Sequence, residues 1–516
     1  MPEAPERELN PRLRRADWRF LLPTPRPRRA LCLAGGALAE AVAAIADEVV
    51  AAGAGDCDLV VAENPDGPTL AALRNALRPG GACYTEWDSL TGGARRVERA
   101  LLGAGFMDVT CYRPWPRSAT LPVYWIPLGA PGATGYVRSR RRLRGGRVRR
   151  LLAGVRQRMS DLLKGRYTRR IYAVARRPTD NAVGLAPAAW LRENWSEWGL
   201  GPTPDRLSTL LVTGGPRSVS KAVLLAFAEP SPIPLVAVKA PRVDWAATGI
   251  RREGAALANL AERRPEYVPG VPRMLFCREI DSVPLVGETA LGGRPLESLL
   301  APRSLRIWSM KVADWLAALA NGAPTLPAAH WQAAIVEPML SRFVEHFGGV
   351  VDRGLLREGE AILRAMGALP SVPEQRDFGP WNLLVMPTGE LGVLDWESAE
   401  VEGLPALDLL YYLAYASFNV DRAYDREGRV ASYLRSLDPS SLTGGVRRDC
   451  VARYLDALNL DPTQLAPLRV LLWLIHAESD FRHAAADAAG PPAHAVLARS
   501  LFLALWAEEV RRAASG

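Results

Sequence analysis

The chain has 516 residues, more than the ~250–300 at which a single hydrophobic core stops growing, so two or more domains are expected. Hydrophobic residues make up 48% of it and charged residues 23%, which excludes wholesale disorder. Neither an apolar signal core nor an apolar run that approaches the ~18–20 residues of a spanning helix is present, so we expect a cytoplasmic protein. The net charge of +9 is concentrated between Arg138 and Arg177, which argues against nucleic acid as a partner.

Strands alternate with helices over the first 180 residues. The predicted strands are 30–33, 58–62, 82–86, 106–112 and 170–175, and the predicted helices are 37–46, 70–77 and 94–102. Such alternation is typical of parallel βαβ units and predicts an α/β domain over residues 1–180. The proline- and tryptophan-rich stretch that follows, 181–207, is predicted to be a linker.

Three segments carry a first resemblance: 57–61 (Cys-Asp-Leu-Val-Val), 77–81 (Leu-Arg-Pro-Gly-Gly) and 101–106 (Leu-Leu-Gly-Ala-Gly-Phe). Their order resembles the class I, S-adenosylmethionine-dependent methyltransferase fold. The turn after the first strand has only two glycines, Gly35 and Gly36. Cys57 lies 57 − 36 = 21 positions after Gly36, which is too few residues for the usual two further βα units. We therefore predict a shortened doubly wound domain that acts as a structural or partner-binding remnant, with a working methyltransferase as the alternative.

A basic helical insertion is predicted at about 138–168. Within it, the apolar residues between Arg147 and Lys164 recur at three- and four-residue spacing and fall on one helix face, flanked by arginines. The apolar face either packs on the protein's own sheet or binds an anionic membrane surface, which would make the protein peripheral to the inner face of the membrane.

From residue 210 the pattern changes to antiparallel strands, predicted at 210–213, 222–227 and 235–239. The turn between the first two contains Gly214, Gly215, Ser218 and Ser220, whose backbone N–H groups and hydroxyls are suited to nucleotide phosphates. A plain β-hairpin is the alternative interpretation of this turn.

Lys239 ends the last of these strands. It is one of four lysines among 64 basic residues, so its retention indicates chemistry that arginine cannot supply. Glu253 follows fourteen residues later at the start of a predicted helix, 252–263, where it is expected to pair with Lys239 and fix its ammonium group.

The clearest motif combines 377–382 (Asp-Phe-Gly-Pro-Trp-Asn), an apolar hairpin, and 393–397 (Val-Leu-Asp-Trp-Glu). Phosphoryl transfer needs an acid that accepts the proton of the attacking hydroxyl, together with carboxylate and amide oxygens that hold Mg²⁺. Asp377, Asn382 and Asp395 supply these groups.

The order of glycine turn, Lys, Glu, Asp-x-x-x-x-Asn and Asp resembles the aminoglycoside phosphotransferase and choline kinase-like branch of the protein-kinase fold. The resemblance implies that Asp377 is the catalytic base and that Asn382 and Asp395 bind Mg²⁺. It also implies that Lys239 binds the α- and β-phosphates of ATP and that Glu253 orients Lys239.

This resemblance covers roughly 210–507 and implies an N-lobe over 208–290 and a helical C-lobe over 291–516. It also implies that Asp408 supports the catalytic loop. One departure is Gln375, two residues before the base, where the family usually has histidine. A glutamine donates and accepts comparable hydrogen bonds, so the loop is expected to keep its shape.

The chain after Leu404 is predicted to be helical, with segments at 409–415, 429–437, 447–458, 467–475 and 495–512. In the family this lobe forms the acceptor pocket. The candidate acceptor contacts are Glu397, Tyr411, Tyr412, His476 and Asp480, each of which has a core or surface role as its alternative.

The fold class is therefore predicted to be α/β plus α+β: a shortened methyltransferase-like domain followed by a two-lobed, protein-kinase-like domain. The predicted function is ATP- and Mg²⁺-dependent phosphorylation of a hydroxyl on a sugar, amino sugar or amino alcohol. The alternatives are an inactive pseudokinase or scaffold and a bifunctional methyltransferase–kinase.

Overall fold

A computed structural model describes residues 11–88, 93–115, 121–140, 170–179, 187–214, 221–263, 268–487 and 494–515. Contacts divide the chain into two compact units. We call the described residues of Glu8–Arg251 and Met274–Gly292 the sheet unit, and those of Arg252–Arg273 and Gly293–Gly516 the helical unit. The four predicted domain boundaries stay predictions, and the basic segment Arg147–Lys164 lies outside the described residues.

The sheet unit is built on one twelve-stranded sheet. Its strands are β1 (Arg29–Cys32), β2 (Glu48–Val50), β3 (Cys57–Glu63), β4 (Leu77–Asp88), β5 (Met107–Trp115), β6 (Tyr124–Pro127), β7 (Arg170–Arg176), β8 (Leu207–Val212), β9 (Ala222–Ala228), β10 (Pro234–Ala240), β11 (Met274–Ile280) and β12 (Val283–Thr289). They lie in the order β11-β12-β10-β9-β8-β6-β5-β7-β4-β3-β1-β2.

Helices cover both faces of this sheet. They are α1 (Pro11–Arg15), α2 (Gly36–Ala43), α3 (Gly67–Ala76), α4 (Gly93–Gly103), α5 (Pro131–Arg140) and α6 (Pro187–Glu193). Successive residues of β3 point to opposite faces, so Val61 packs with α2 and α6 while Val60 packs with α3 and α4. Burial on both faces explains why β3 is an almost uninterrupted apolar run.

The parallel part of the sheet agrees with the predicted βαβ pattern. Strands β2, β1, β3 and β4 are parallel neighbours, and β7 runs antiparallel between β4 and β5. The Pro-Gly-Gly turn lies inside β4, and a Cβ on Gly81 would come within 3.0 Å of the Cys57 carbonyl oxygen. Glycine is therefore required there by the close approach of two backbones.

Strand β6 joins the two predicted domains into one sheet. It pairs with β5 on one side and with β8 on the other, where Trp125 lies opposite Leu211. The described part of the predicted linker is also packed, because Trp195 and Trp198 are buried in the core of this sheet. The sheet therefore continues without a break from the α/β region into the antiparallel strands.

The helical unit contains most of the helices. After α7 (Ala247–Arg263), in which the two units divide, come α8 (Leu305–Ala320), α9 (Ala328–Trp331), α10 (Glu337–Phe347), α11 (Arg353–Arg364), α12 (Leu407–Asp421), α13 (Arg426–Ser436), α14 (Leu442–Leu458), α15 (Leu465–Asp487), α16 (His494–Leu497) and α17 (Leu501–Ser515). Side chains cap the N-termini of α11, α13 and α14: Asp352 accepts from the N–H groups of Gly354 and Leu355, Asp425 from Gly428 N–H, and Ser441 from Gly444 N–H.

Short strands accompany these helices: β13 (Arg294–Pro295), β14 (Thr325–Leu326), β15 (Leu369–Pro370), β16 (Val372–Glu374), β17 (Leu383–Val385), β18 (Leu391–Val393) and β19 (Glu400–Gly403). The β17–β18 hairpin and the β16–β19 pair frame the 377–382 motif. Throughout the described chain, every helix is too short or too polar to span a membrane.

Candidate active site

The loop between β16 and β17 brings Asp377 and Asn382 into contact. The Asn382 Nδ2 donates to Asp377 Oδ2 at 2.8 Å and to the Asp377 carbonyl at 2.9 Å. Gly379 N–H donates to the same carbonyl at 2.7 Å, which closes the loop tightly. With its nitrogen engaged, the amide of Asn382 has its oxygen Oδ1 as a potential metal ligand.

Asp395 follows β18 and is held close to Asn382 through the backbone. Leu394 N–H donates to the Asn382 carbonyl at 2.8 Å, directly beyond the hairpin pair Leu383 and Val393. The φ of Asp395 is +64°, a left-handed conformation that residues other than glycine rarely adopt. Such conformations persist where the surrounding structure fixes them, and they cluster at functional sites.

The donor set fits Mg²⁺, which prefers oxygen ligands and is held by one or two carboxylates plus water and phosphate oxygens. Asp395 would supply a carboxylate and Asn382 an amide oxygen.

Gln375 ties the two halves of the site together. Its carboxamide oxygen accepts from Asp377 N–H at 2.9 Å, and its nitrogen donates to the carbonyls of Leu394, at 3.1 Å, and Asp395. The side chain is completely buried. A glutamine therefore donates and accepts as the sequence analysis expected of it, and it fixes both loops with one amide group.

Asp408, in the first turn of α12, holds the backbone at the start of the same loop. Its carboxylate accepts from Gln375 N–H at 2.7 Å and from Arg376 N–H at 2.9 Å. Arg376 has a φ of +69°, so these bonds hold another left-handed residue beside Asp377. Burial and, after it, the nearby Glu374 carboxylate raise the pKa of Asp408 to about 7, and burial also raises the pKa of Glu374.

The raised pKa values of Asp408 and Glu374 predict that the stability of the protein depends on pH. Because the pKa of Asp408 is higher in the folded than in the unfolded chain, the folded chain binds more protons between about pH 4 and about pH 7. The contribution of the pair to the free energy of unfolding is therefore expected to fall as pH rises through that range. Glu374→Gln removes one of the two charges and should flatten the fall. Urea unfolding of the wild-type protein and of Glu374→Gln at several pH values measures the free energy of unfolding of each. If the two free energies changed in parallel with pH, the prediction would be contradicted.

Glu253, on α7, has a role that the sequence did not reveal. Its Oε1 accepts from Trp396 N–H at 3.0 Å, directly after Asp395, and its side chain is completely buried. A buried carboxylate that accepts from this backbone amide holds the segment on which Asp395 lies.

Lys239, on β10, is buried and its Nζ lies 2.8 Å from Oε1 of Glu288 on β12. Glu288 is a diagonal neighbour across the sheet, since Lys239 itself lies opposite Val286. The predicted pairing of Lys239 with Glu253 stays a prediction. Of the predicted phosphate turn, Gly214 has a φ of +38°, while Gly215, Ser218 and Ser220 lie outside the described residues.

Aromatic side chains surround Asp377. Trp381 is 39% exposed, its Nε1 lies 3.4 Å from Asp377 Oδ2, and its ring packs edge-on against Tyr415 at 4.9 Å. Tyr411 lies next to both rings and stacks on His476 at 4.3 Å. Desolvation lowers the pKa of His476 to about 3, so its ring is neutral near pH 7.

The other predicted acceptor contacts differ in their settings. Tyr412 is fully buried with its hydroxyl 3.4 Å from Ser309 Oγ, so it faces the core. Asp480 accepts from the Ser500 hydroxyl at 2.8 Å, and Glu397 is half-buried. Trp381, which donates to Asp377, and Tyr415, which packs against Trp381, were not among the predicted acceptor contacts.

Residues 227–442 match the model of the phosphotransferase enzyme family, APH. The matched segment contains Lys239, Glu253, Asp377, Asn382 and Asp395. It begins within β9 and ends at the first residue of α14. A search of curated proteins gave no match.

Similar solved structures include aminoglycoside phosphotransferases. A thermostable mutant of APH(4)-Ia is 13% identical, with 64% of this chain and 100% of that chain covered and a TM-score of 0.38. APH(3'')-Id from Streptomyces rimosus is 17% identical, with 54% and 95% covered and a TM-score of 0.31. APH(2'')-IIa in a complex with streptomycin and ATP is 10% identical, with 62% and 98% covered and a TM-score of 0.36.

Proposed function

We propose that the protein is an ATP- and Mg²⁺-dependent kinase that phosphorylates a hydroxyl of a sugar, amino sugar or amino alcohol. The observation that carries this proposal is the hydrogen bond between Asp377 and Asn382. Gln375 bonds both to Asp377 and to the segment that contains Asp395, so it holds the two parts of the site together. The family match over 227–442 supports a phosphotransferase.

Each residue has a distinct part in the proposed reaction. Asp377 accepts the proton of the attacking hydroxyl, and the indole N–H of Trp381 and the side-chain amide of Asn382 donate to its carboxylate and hold it in position. Asn382 and Asp395 would hold Mg²⁺, which supplies neutralisation of phosphate charge when bound. Lys239 binds phosphate oxygens of ATP. Because its Nζ also lies next to Glu288 Oε1, the ammonium group is shared between ATP and Glu288.

The aromatic surroundings of Asp377 favour an acceptor with an apolar ring or chain. The exposed face of Trp381 offers a surface on which the C–H face of a sugar or the carbon chain of an amino alcohol can pack. A neutral, buried His476 offers no positive charge at about pH 7, so the acceptor needs no anionic group there.

Turnover of γ-labelled ATP in the presence of Mg²⁺ and a panel of sugars, amino sugars and amino alcohols tests the proposal. Label transferred to an acceptor supports a kinase. Tight binding of Mg-ATP without transfer to any acceptor would instead support the pseudokinase alternative, and failure to bind Mg-ATP would overturn the proposal.

We propose further that the first 180 residues form a methyltransferase-like remnant that does not bind S-adenosylmethionine. The order of parallel strands with the antiparallel β7 beside β4 supports the likeness. Strand β2, Glu48–Val50, is followed by Ala51 and Ala52, so no carboxylate stands at its end for the ribose hydroxyls. Calorimetric titration is expected to give no heat of binding, and a micromolar dissociation constant would revive the bifunctional alternative. Binding of Arg147–Lys164 to anionic membranes stays a prediction.

A further inference from the structure

A row of side chains crosses the sheet unit on the face that carries Lys239. The strands concerned are antiparallel neighbours, so residues that lie directly opposite each other share one face of the sheet. From β5 to β12 the row contains Trp115, Tyr124, Val212, Val223, Lys239 and Val286. The row therefore starts in the α/β region and ends in the antiparallel strands that follow it.

Helix α5 covers the next row on this face. That row contains three buried apolar residues that lie opposite one another: Leu210, Leu225 and Ala237. They form one apolar cluster with Ala133 and Val137 of α5. The N-terminus of α5 is fixed by Glu229, directly after β9, whose Oε2 accepts from Gly132 N–H at 2.7 Å. The helix therefore closes the face next to the row that contains Lys239.

Three residues of the Lys239 row are partly exposed: Tyr124, Val212 and Val223. We call these three residues the apolar strip. They pack against the α5 cluster with part of their surface and leave the rest uncovered. A contiguous apolar strip beside a buried lysine differs from the single apolar residues that every protein surface carries. The strip is suited to a flat, apolar group that is attached to an anion.

Lys239 and the predicted phosphate turn lie next to the two valines of the strip. Lys239 is opposite Val223, and its Nζ is held at 2.8 Å from Glu288 Oε1. The turn joins β8 to β9, the strands that carry these valines, and Gly214 follows Val212 by two residues. Both features favour phosphate groups at this end of the strip.

The length of the strip suits a nucleotide. The strands lie in the order β10-β9-β8-β6, and neighbouring strands are about 4.8 Å apart, so the backbones of Lys239 and Tyr124 are separated by three spacings, about 14 Å. An extended nucleoside triphosphate can span this interval. With its phosphates at Lys239, it extends across the valines towards Tyr124.

We propose that Tyr124 is part of the nucleotide site and contacts the base of ATP. The inference rests on the proposed kinase function and adds a residue of the α/β region to it. The base lies on Val212 and Val223, and the aromatic ring of Tyr124 packs against it. Aromatic side chains are common partners of nucleobases, because every base has a π-face. The α/β region then takes part in nucleotide binding without a cofactor of its own.

Calorimetric titration of the full-length protein with Mg-ATP and with magnesium tripolyphosphate tests this proposal. Tripolyphosphate has the phosphates of ATP without the ribose and the base. Tyr124→Ala should weaken binding of Mg-ATP by about 10- to 100-fold, the usual effect of losing an aromatic contact to a base, and leave binding of tripolyphosphate unchanged. Tyr124→Phe keeps the ring and should bind Mg-ATP like the wild-type protein. Lys239→Met should weaken binding of both ligands.

Trp87→Ala is the matched control. Trp87 is a half-buried aromatic residue on β4 of the same sheet, where it packs with the cluster under α3 and α4. Its loss should leave the affinities for Mg-ATP and tripolyphosphate unchanged. Tyr124→Val, which keeps an apolar and strand-forming side chain, is used if Tyr124→Ala does not fold.

Unchanged affinity for Mg-ATP in a folded Tyr124→Ala or Tyr124→Val protein would overturn this inference and leave the kinase function standing. An equal loss of affinity for Mg-ATP and for tripolyphosphate would also overturn it, because the effect would then not come from the base. So would a Tyr124 variant that lost affinity for the acceptor alone. A wild-type protein that bound no Mg-ATP would overturn the kinase function and this inference together.

Discussion

Asp377→Asn is expected to lower the rate of phosphoryl transfer by about 10²–10⁴-fold, the usual loss when a general base is removed. Asparagine keeps the shape of the side chain and one acceptor oxygen, which can still accept from Trp381 or Asn382. The loop should therefore stay folded, and binding of Mg-ATP should change little. Initial rates at saturating ATP and acceptor, with circular dichroism as the check on folding, measure the effect.

Asp314→Asn is the matched control for this change. Asp314 lies on α8 in the same unit and pairs with Arg453, with both side chains about half exposed. Loss of an exposed ion pair costs at most about 1 kcal/mol, so its activity should equal that of the wild-type protein. An Asp377→Asn protein that retains full turnover would show that another group accepts the proton.

Asp395→Asn is expected to reduce turnover by at least about two orders of magnitude, because a metal ligand supports several kcal/mol of charge stabilisation. Asparagine is preferred to alanine because it tolerates the left-handed backbone at this position, where φ is +64°. The Mg²⁺ concentration for half-maximal rate should rise together with the loss of turnover. An unchanged dependence on Mg²⁺ would show that Asp395 is not a metal ligand.

Much of the α/β region could be predicted because its central strands are buried on both faces. The predicted strand 58–62 falls within β3, Cys57–Glu63, and the predicted helix 94–102 within α4, Gly93–Gly103. A strand covered on both faces is a short apolar run bounded by polar residues, which one sequence suffices to show.

Strands β2, β6 and β11 were not predicted, because none of them is an apolar run bounded by polar residues. Strand β2 has two exposed residues out of three, and β11 has three consecutive exposed residues in its C-terminal half. Strand β6 has four residues and ends in proline, which disfavours a strand by sequence alone. Their pairing comes from neighbouring strands, so it appears only in the folded chain.

In the candidate site too, the local motif could be predicted from the sequence, whereas contacts between distant residues could not. Asp377, Asn382 and Asp395 form a local motif, and the sequence predicted them as a set. Glu288 could not be linked to Lys239, because their contact depends on the register of β10 against β12. The hydrogen bond from Trp396 N–H to Glu253 likewise joins residues far apart in the chain.

The pairing of β6 with β8 limits how this protein can be shortened. A fragment that starts at the family match, at residue 227, would cut through β9 and remove β8. One that starts at residue 208 would keep most of β8 but expose its free edge, since Tyr124 and Trp125 of β6 would be gone. Unprotected strand edges recruit other chains and aggregate. The α/β region therefore covers the edge of the strands that follow it, and a soluble fragment that contains the family match requires β6 to be retained or replaced.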